Sequence, residues 1–191
     1  GVPLHFPRPL PALVVAARER QLPIIGDMEI FAQARASLPA HRVVGITGTN
    51  GKSTTTALIH HVLAASGVPA LLAGNIGVPL LEEEPLRAGG IYVIELSSFQ
   101  IDLTARLACE VAVLTNITPD HLDRHGTLED YAAVKERLVA AAGRAIIGAD
   151  DHLCREIAER RFAVGKPTTM ISVAHPDISD GLVADGSKLL R

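Results

Sequence analysis

Rings are scarce in this sequence. It has no tryptophan, two tyrosines and four phenylalanines, so it offers few surfaces on which bases could stack. An excess of one charge is also missing: 18 Lys and Arg against 21 Asp and Glu leave a formal charge of −3, and the basic residues stand singly rather than in a stripe. Together these features argue against a nucleic-acid partner and leave room for a small anionic ligand at a local site. Cysteine is nearly absent. Cys109 and Cys154 form no C-x-x-C pair and no ladder, which fits a reducing cytoplasm rather than a disulfide scaffold.

Charged residues vanish altogether from Ser53 to Leu81, the one stretch to test as a membrane span. His60, His61, Gly67, Pro69, Gly74, Asn75, Gly77 and Pro79 break it into pieces well short of the roughly 20 unbroken apolar residues a span needs. It reads as core, and no membrane partner is expected. The chain starts with Gly1 rather than Met and shows no basic-then-apolar leader, so it is expected to begin mid-protein or after processing. What remains is a globular composition, 48% hydrophobic and 20% charged, in 191 residues, enough for one good-sized core plus an appendage.

The appendage comes first. GVPLHFPRPLP is proline-rich and extended, Ala12 to Gln21 has the periodicity of a short helix, LPIIGDMEIF reads as a strand running into another helix, and SLPAH marks a joint. From His41 onward strands and helices alternate. Short β-branched runs predict strands at 42–47, 69–73, 91–95, 110–115, 144–148 and 169–173, with helices at 52–65, about 77–83, 127–142 and 150–160. This alternation implies an α/β fold: a P-loop-type, mostly parallel sheet with helices on both faces. Ligands of such sheets bind at the carboxyl ends of the strands, which is where candidate site residues should lie.

The first run ends in VVGITGTNGKSTTTALIHHVL. A buried strand, a glycine-rich turn and Lys-Ser opening a helix is an arrangement that cradles phosphates: backbone N–H groups approach, Lys52 neutralises terminal phosphates and Ser53 can hold Mg²⁺. The strict G-x-x-x-x-G-K spacing is not met, because Ile46 stands where its first glycine would be and the glycines are Gly45, Gly48 and Gly51. Gly48, Thr49, Asn50, Gly51, Lys52, Ser53 and Thr54 are the expected nucleotide loop, and ATP is the first expected ligand.

Three more strand ends carry polar residues. Glu95, Ser97, Ser98 and Gln100 follow IYVI; a carboxylate there can ligate Mg²⁺ brought by a nucleotide, whereas ELSS taken alone is more often a helix cap or turn. Asn116, Asp120, His121 and Asp123 follow VAVL. His121 is a candidate site residue; His121 and His125 at i, i+4 lack the third ligand a zinc site needs, and His125 stays neutral. Asn75, between the glycines of GNIGVP, either fills a turn or presents an amide. His60 and His61 read as packing or surface groups.

Residues 127–142 carry an awkward lysine. Thr127 is a good N-cap, Glu129 and Asp130 suit the positive helix end, and Gly143 suits a left-handed C′ position. Leu128, Tyr131, Leu138, Val139 and Ala142 form the inward stripe, and Lys135 lies in the middle of it. A snorkelling lysine is the bland explanation. A site lysine is the sharper one, because the helix follows directly on the loop that carries His121.

GTNGKST, GNIG, ELSSFQ and TNITPDHLDRHG followed by YAAVKERL resemble, in that order, the central domain of the bacterial Mur ligases. GNIG and ELSSFQ point within the family to the member that joins D-glutamate to UDP-N-acetylmuramoyl-L-alanine. The likeness runs from about Gly1 to Ala158 and is loose beyond. It implies an ADP-forming, ATP-dependent amide ligase of peptidoglycan precursor synthesis, a cytoplasmic monomer, in which an acceptor carboxylate is phosphorylated and an amine displaces the phosphate. It also implies ligand sets: Ser53 and Glu95 for one Mg²⁺, His121 and a carbamylated Lys135 for a second, and Asn75, Ser97 and Gln100 for the acceptor, with Lys52, His121 and Lys135 as catalytic groups. An inward amine loses hydration, so a neutral fraction appears that can react with CO₂ to give an anionic oxygen ligand.

The family has three domains. By that resemblance residues 1–40 are the tail of an N-terminal domain and linker, residues 41–191 are the central ATP-binding domain, itself incomplete, and a C-terminal domain is absent, so the chain is expected to be inactive alone. The rivals are a folylpolyglutamate synthase-like ligase, whose GKG differs from Gly51-Lys52-Ser53 here, a P-loop NTPase binding module that needs neither an acid substrate nor a carbamate, and a non-catalytic structural remnant.

Overall fold

Strands buried on both faces need helices on both sides of the sheet, and the β-branched runs pair accordingly. The computed structural model describes residues 12–175, 181–185 and 188–190. Its strands are β1 (His41–Thr47), β2 (Ala70–Gly74), β3 (Gly90–Glu95), β4 (Val111–Leu114), β5 (Arg144–Gly148), β6 (Thr168–Ser172), β7 (Gly181–Asp185) and β8 (Lys188–Leu190). They form one sheet in the order β2-β3-β1-β4-β5-β6-β7-β8. Neighbours from β2 to β7 run parallel, and only β8 returns antiparallel to β7.

The helices are α1 (Ala12–Glu19), α2 (Asp27–Ala34), α3 (Lys52–Ala65), α4 (Ser98–Asp102), α5 (Leu122–His125), α6 (Leu128–Ala141) and α7 (His152–Ala163). Residues of α2, α4, α6 and α7 pack with Val43, Tyr92, Ile94, Ala112, Leu114 and Ile147 on one face of the sheet. On the other face Ile59 and Leu63 of α3 pack on Ile46, Ile91, Val93 and Val113. Alternate residues of β1, β3 and β4 therefore serve opposite cores, which explains their continuous hydrophobicity.

Residues preceding β1 are tied to this core. Met28 and Phe31 of α2 are buried, and the carboxylate of Glu29, itself buried, accepts hydrogen bonds from the backbone N–H groups of Ala105 (2.8 Å) and Arg106 (2.9 Å). Burial raises the Glu29 pKa, but the Gln33 side chain, those two amides and the Arg106 charge outweigh it and leave the carboxyl below its ordinary value.

Three expectations are corrected. Leu22 to Ile25 form no strand: Leu22 and Ile25 are 57% and 40% exposed, and the segment is held by the Gly26 N–H on the Leu103 carbonyl (3.4 Å) instead of a sheet partner. The helix expected at about 77–83 is only a 3-10 turn, Leu80–Glu82. Gly143 is not left-handed, since α6 ends in an extended Ala142 (φ −75°, ψ 148°). Its lack of a side chain serves a close passage, because a Cβ there would sit 3.1 Å from the Glu110 carbonyl oxygen. β7 and β8 fall where no strand was expected. The proline-rich expectation for residues 1–11 lies outside the described residues.

Candidate functional site

The strand register sets the site. Gly74 is level with Glu95, Glu95 with Ile46, and Thr47 with Leu114, so four adjacent strands end together. Their exits carry Asn75, Glu95 to Gln100, Gly48 to Thr54, and Thr115 to His121 to one edge. β1 lies between β3 and β4, where the connections diverge to either side, and this is the crevice in which open parallel sheets bind ligands.

Gly48 lies at φ +143°, and a Cβ there would meet the Thr115 hydroxyl oxygen at 1.9 Å, so the close turn needs glycine on both counts. Gly74 is similar: at φ +103° its Cβ would meet the Glu95 carbonyl oxygen at 2.2 Å. The loop between β1 and α3 is clamped from β4. The Thr49 N–H donates to the Asn116 carbonyl (2.8 Å) and the Asn50 N–H to Asn116 Oδ1 (2.9 Å), while Asn116 Nδ2 and the Thr115 hydroxyl donate to the Asn50 carbonyl (3.0 and 2.7 Å). Thr49 and Asn50 thus spend their amides on Asn116. The amides free to meet a phosphate are those of the first turn of α3, where helix geometry leaves N–H groups unpaired and the dipole favours an anion. Lys52 waits beside them with its Nζ donating to the Thr49 carbonyl (2.7 Å). Ser53 and Thr54 are exposed at the head of α3.

Glu95 is 1% exposed. Its Oε1 accepts from Asn75 Nδ2 (2.9 Å), and its Oε2 is buried with no hydrogen-bond partner. An orphaned carboxylate oxygen at a strand end beside the loop that opens α3 is a donor whose chemistry fits a hard divalent cation such as Mg²⁺. Among the described residues no three His, Cys, Asp or Glu side chains converge as a zinc site would require.

α6 delivers the lysine. The Thr127 hydroxyl caps it by accepting from the Asp130 N–H (3.0 Å), and the buried stripe is Tyr131, Ala132, Lys135, Leu138 and Val139. Lys135 does not snorkel: it is 1% exposed, its amine lies 4.4 Å from the Tyr131 ring centre, and Nζ donates to the Gly48 carbonyl (2.7 Å). Burial, then the nearby positive charge of Lys52, pushes the amine down to about 7 against weaker opposition from Asp120 and Cys154. A large neutral fraction at neutral pH follows.

A cleft of about 170 Å³ brings Lys52, His121 and Lys135 together with Asn75 and Ser97. A second, of about 310 Å³, shares Asn75, Ser97 and Phe99 and adds Gln100 with Gly26 and Asp27 at the start of α2. Ser97 and Gln100 also form a capping box for α4: Ser97 N–H donates to Gln100 Oε1 (3.0 Å) and Gln100 N–H to Ser97 Oγ (3.2 Å). The cap and the cleft wall are thus one feature. His121, in the left-handed conformation (φ +51°), heads α5 with Nε2 3.5 Å from Asp120 Oδ2. Asp120, Ser98, Phe99 and Tyr131 line the first cleft as well. Tyr131 reads as part of the inward stripe of α6 and Phe99 is not singled out in the sequence; the meeting of α4, α5 and α6 brings both to the cleft. His125 faces Ser98 Oγ (3.0 Å) and the Tyr131 ring, and His60 and His61 stay outside the cleft.

Comparison with known proteins agrees with this arrangement. The model of the Mur ligase middle domain matches residues 46–178. A UDP-N-acetylmuramoylalanine–D-glutamate ligase of Novosphingobium aromaticivorans is 56% identical over 86% of the chain and 38% of its own length. That of Nitrobacter hamburgensis is 48% identical over 100% of the chain and 41% of its own length, so the chain spans about two fifths of such relatives. Among solved structures, a UDP-N-acetylmuramate:L-alanyl-γ-D-glutamyl-meso-diaminopimelate ligase from Neisseria has a TM-score of 0.66 at 20% identity, covering 96% of this chain and 61% of the other. The MurF ligase of Thermotoga maritima in complex with ADP has 0.60 at 21%, covering 78% and 36%. These two share the fold.

Proposed function

Because the chain belongs to the Mur ligase family, we propose that it supplies the central ATP-binding domain of a ligase that joins D-glutamate to UDP-N-acetylmuramoyl-L-alanine in the cytoplasm. Residues 41–191 are that domain, and residues 1–40 are the tail and linker of the domain that holds the uridine nucleotide. The observation that carries the reading is the buried lysine: Lys135 Nζ, 1% exposed, rests on the Gly48 carbonyl of the phosphate loop. An NTPase binding module would have no use for a desolvated amine there.

In this reading the first turn of α3 receives the terminal phosphates of ATP, and Lys52 leaves the Thr49 carbonyl to neutralise them. Ser53 and Glu95 would hold one Mg²⁺, which when bound would offset phosphate charge. The Lys135 amine adds to CO₂: a nitrogen–carbon bond forms and the nitrogen gives up a proton to solvent. The resulting carbamate, with His121, would supply ligands for a second Mg²⁺. Asn75 and Ser97, on the wall shared by the two clefts, and Gln100, beside them in the outer one, orient the acceptor. The acceptor carboxylate attacks the γ-phosphorus and the bond to ADP breaks. The D-glutamate amine then attacks the acyl carbon, the nitrogen gives up a proton to solvent, and the carbon–oxygen bond breaks so that phosphate leaves with one carboxylate oxygen.

That oxygen supplies the test. With a heavy-oxygen label in the acceptor carboxylate, the full-length protein should release phosphate carrying one labelled oxygen per amide formed, as read by mass spectrometry. Unlabelled phosphate would contradict activation as an acyl phosphate.

A further inference from the structure

α5 is a four-residue helix with no buried residue, yet its N-cap is His121, a side chain the reaction needs, held in a left-handed conformation that a non-glycine residue adopts at a cost. With no fully buried residue in α5, the side chains that leave it toward its neighbours take on the holding of this end. The Arg124 guanidinium lies 4.3 Å from the Phe99 ring centre, and Nη2 donates to Asp102 Oδ2 (2.7 Å). The Arg124 side chain is only 11% exposed, and its Nη1 is buried with no hydrogen-bond partner. One donor is left unsatisfied to keep the planar group over Phe99. Phe99 also meets His121 itself: the rings are edge to face, centres 5.0 Å apart at 70°. From α6, Arg137 Nη1 reaches the other Asp102 oxygen (3.4 Å), while Nη2 donates to the Thr104 carbonyl (3.1 Å). Asp102 is therefore held from two helices, and His125 on Ser98 Oγ anchors the far end of α5.

We infer that Arg124, acting through Phe99 and Asp102, is a positioning residue that fixes the imidazole of His121 at the cleft. The inference rests on the proposed ligase reading for the use of His121, and on geometry alone for how it is held. Arginine is the residue suited to this place, because a flat guanidinium stacks on a ring while its edge pairs with a carboxylate, and an ammonium group cannot do both.

The test uses the full-length protein with isotopically labelled histidine and the variants Arg124→Leu, Arg124→Lys and Asp102→Asn. NMR reads the His121 ring resonances, assigned with His121→Asn, and steady-state kinetics read kcat and KM. Arg124→Leu should move the His121 resonances away from the ring-current position set by Phe99 and lower kcat by on the order of 10-fold or more, with KM for ATP changed less than about threefold. Arg124→Lys should recover part of both effects, and Asp102→Asn should shift both the same way by less. If Arg124→Leu only lowers the melting temperature, with the His121 resonances and kcat at wild-type values, the inference is overturned. Resonances unmoved in all three variants would overturn it too. Were the wild-type protein to show no ligation, the ligase reading would fail, and the resonances alone would still decide how His121 is held.

Discussion

Replacing Lys135 by alanine in the full-length protein is expected to lower ligation by at least about 100-fold, the scale for removing a group that stabilises charge in the transition state. The wild-type protein equilibrated with isotopically labelled CO₂ should show a carbamate NMR signal that the variant lacks. Ligation retained in the variant at the wild-type rate would remove Lys135 from the mechanism. The same residue predicts a pH effect on stability in CO₂-depleted buffer. The amine titrates near 7 in the folded chain and near 10.5 when unfolded, so between those values the unfolded state binds more protons and folding becomes more favourable as pH rises. The penalty for the buried amine is complete below about pH 7 and gone above about 10.5. Lys135→Met should therefore melt higher than the unmodified protein at pH 6, and its advantage should shrink toward pH 10. A melting-temperature difference independent of pH would contradict the buried-amine account.

Replacing Lys52 by alanine is expected to reduce kcat/KM for ATP by about 10²- to 10³-fold. Lys52→Arg should not restore it, because the loop closes around a compact ammonium group on the Thr49 carbonyl and a planar guanidinium needs a different cradle. A second consequence ties this residue to the first. The positive charge of Lys52 is the second largest cause of the lowered Lys135 pKa. Without it the Lys135 amine should hold its proton more tightly, leave less neutral amine at pH 7.5 and give a weaker carbamate signal in the nucleotide-free protein. An unchanged signal would show that burial alone sets the reactivity of Lys135.

Much of this site is legible from local chemistry. Lys135 stood out because helical phase alone places it among Tyr131, Leu138 and Val139, and its burial follows from that phase. The phosphate loop and the polar residues after β3 and β4 could be found because parallel strands put their carboxyl ends on one edge. Other parts were invisible for physical reasons. α4 and α5 have five and four residues, too few for a 3.6-residue period to declare itself. Leu22 to Ile25 carries a strand-like apolar run, but the edges of the sheet are β2 and β8 and the segment docks beside Leu103 instead. Gly143 satisfied a helix-stop rule, yet its place is set by the approach of Glu110, the residue just before β4, a contact over thirty positions away along the chain. The Asn116 clamp and the Arg124–Phe99–His121 contact are long-range pairs of this kind, and no local pattern announces them.

The most direct measurement is phosphate release from ATP by the full-length protein, with UDP-N-acetylmuramoyl-L-alanine present and D-glutamate added or withheld. The account predicts sustained release only when acceptor and D-glutamate are both present, since the acyl phosphate is consumed by the amine. Sustained release indifferent to both would contradict it, and would remove the catalytic roles assigned to His121 and Lys135.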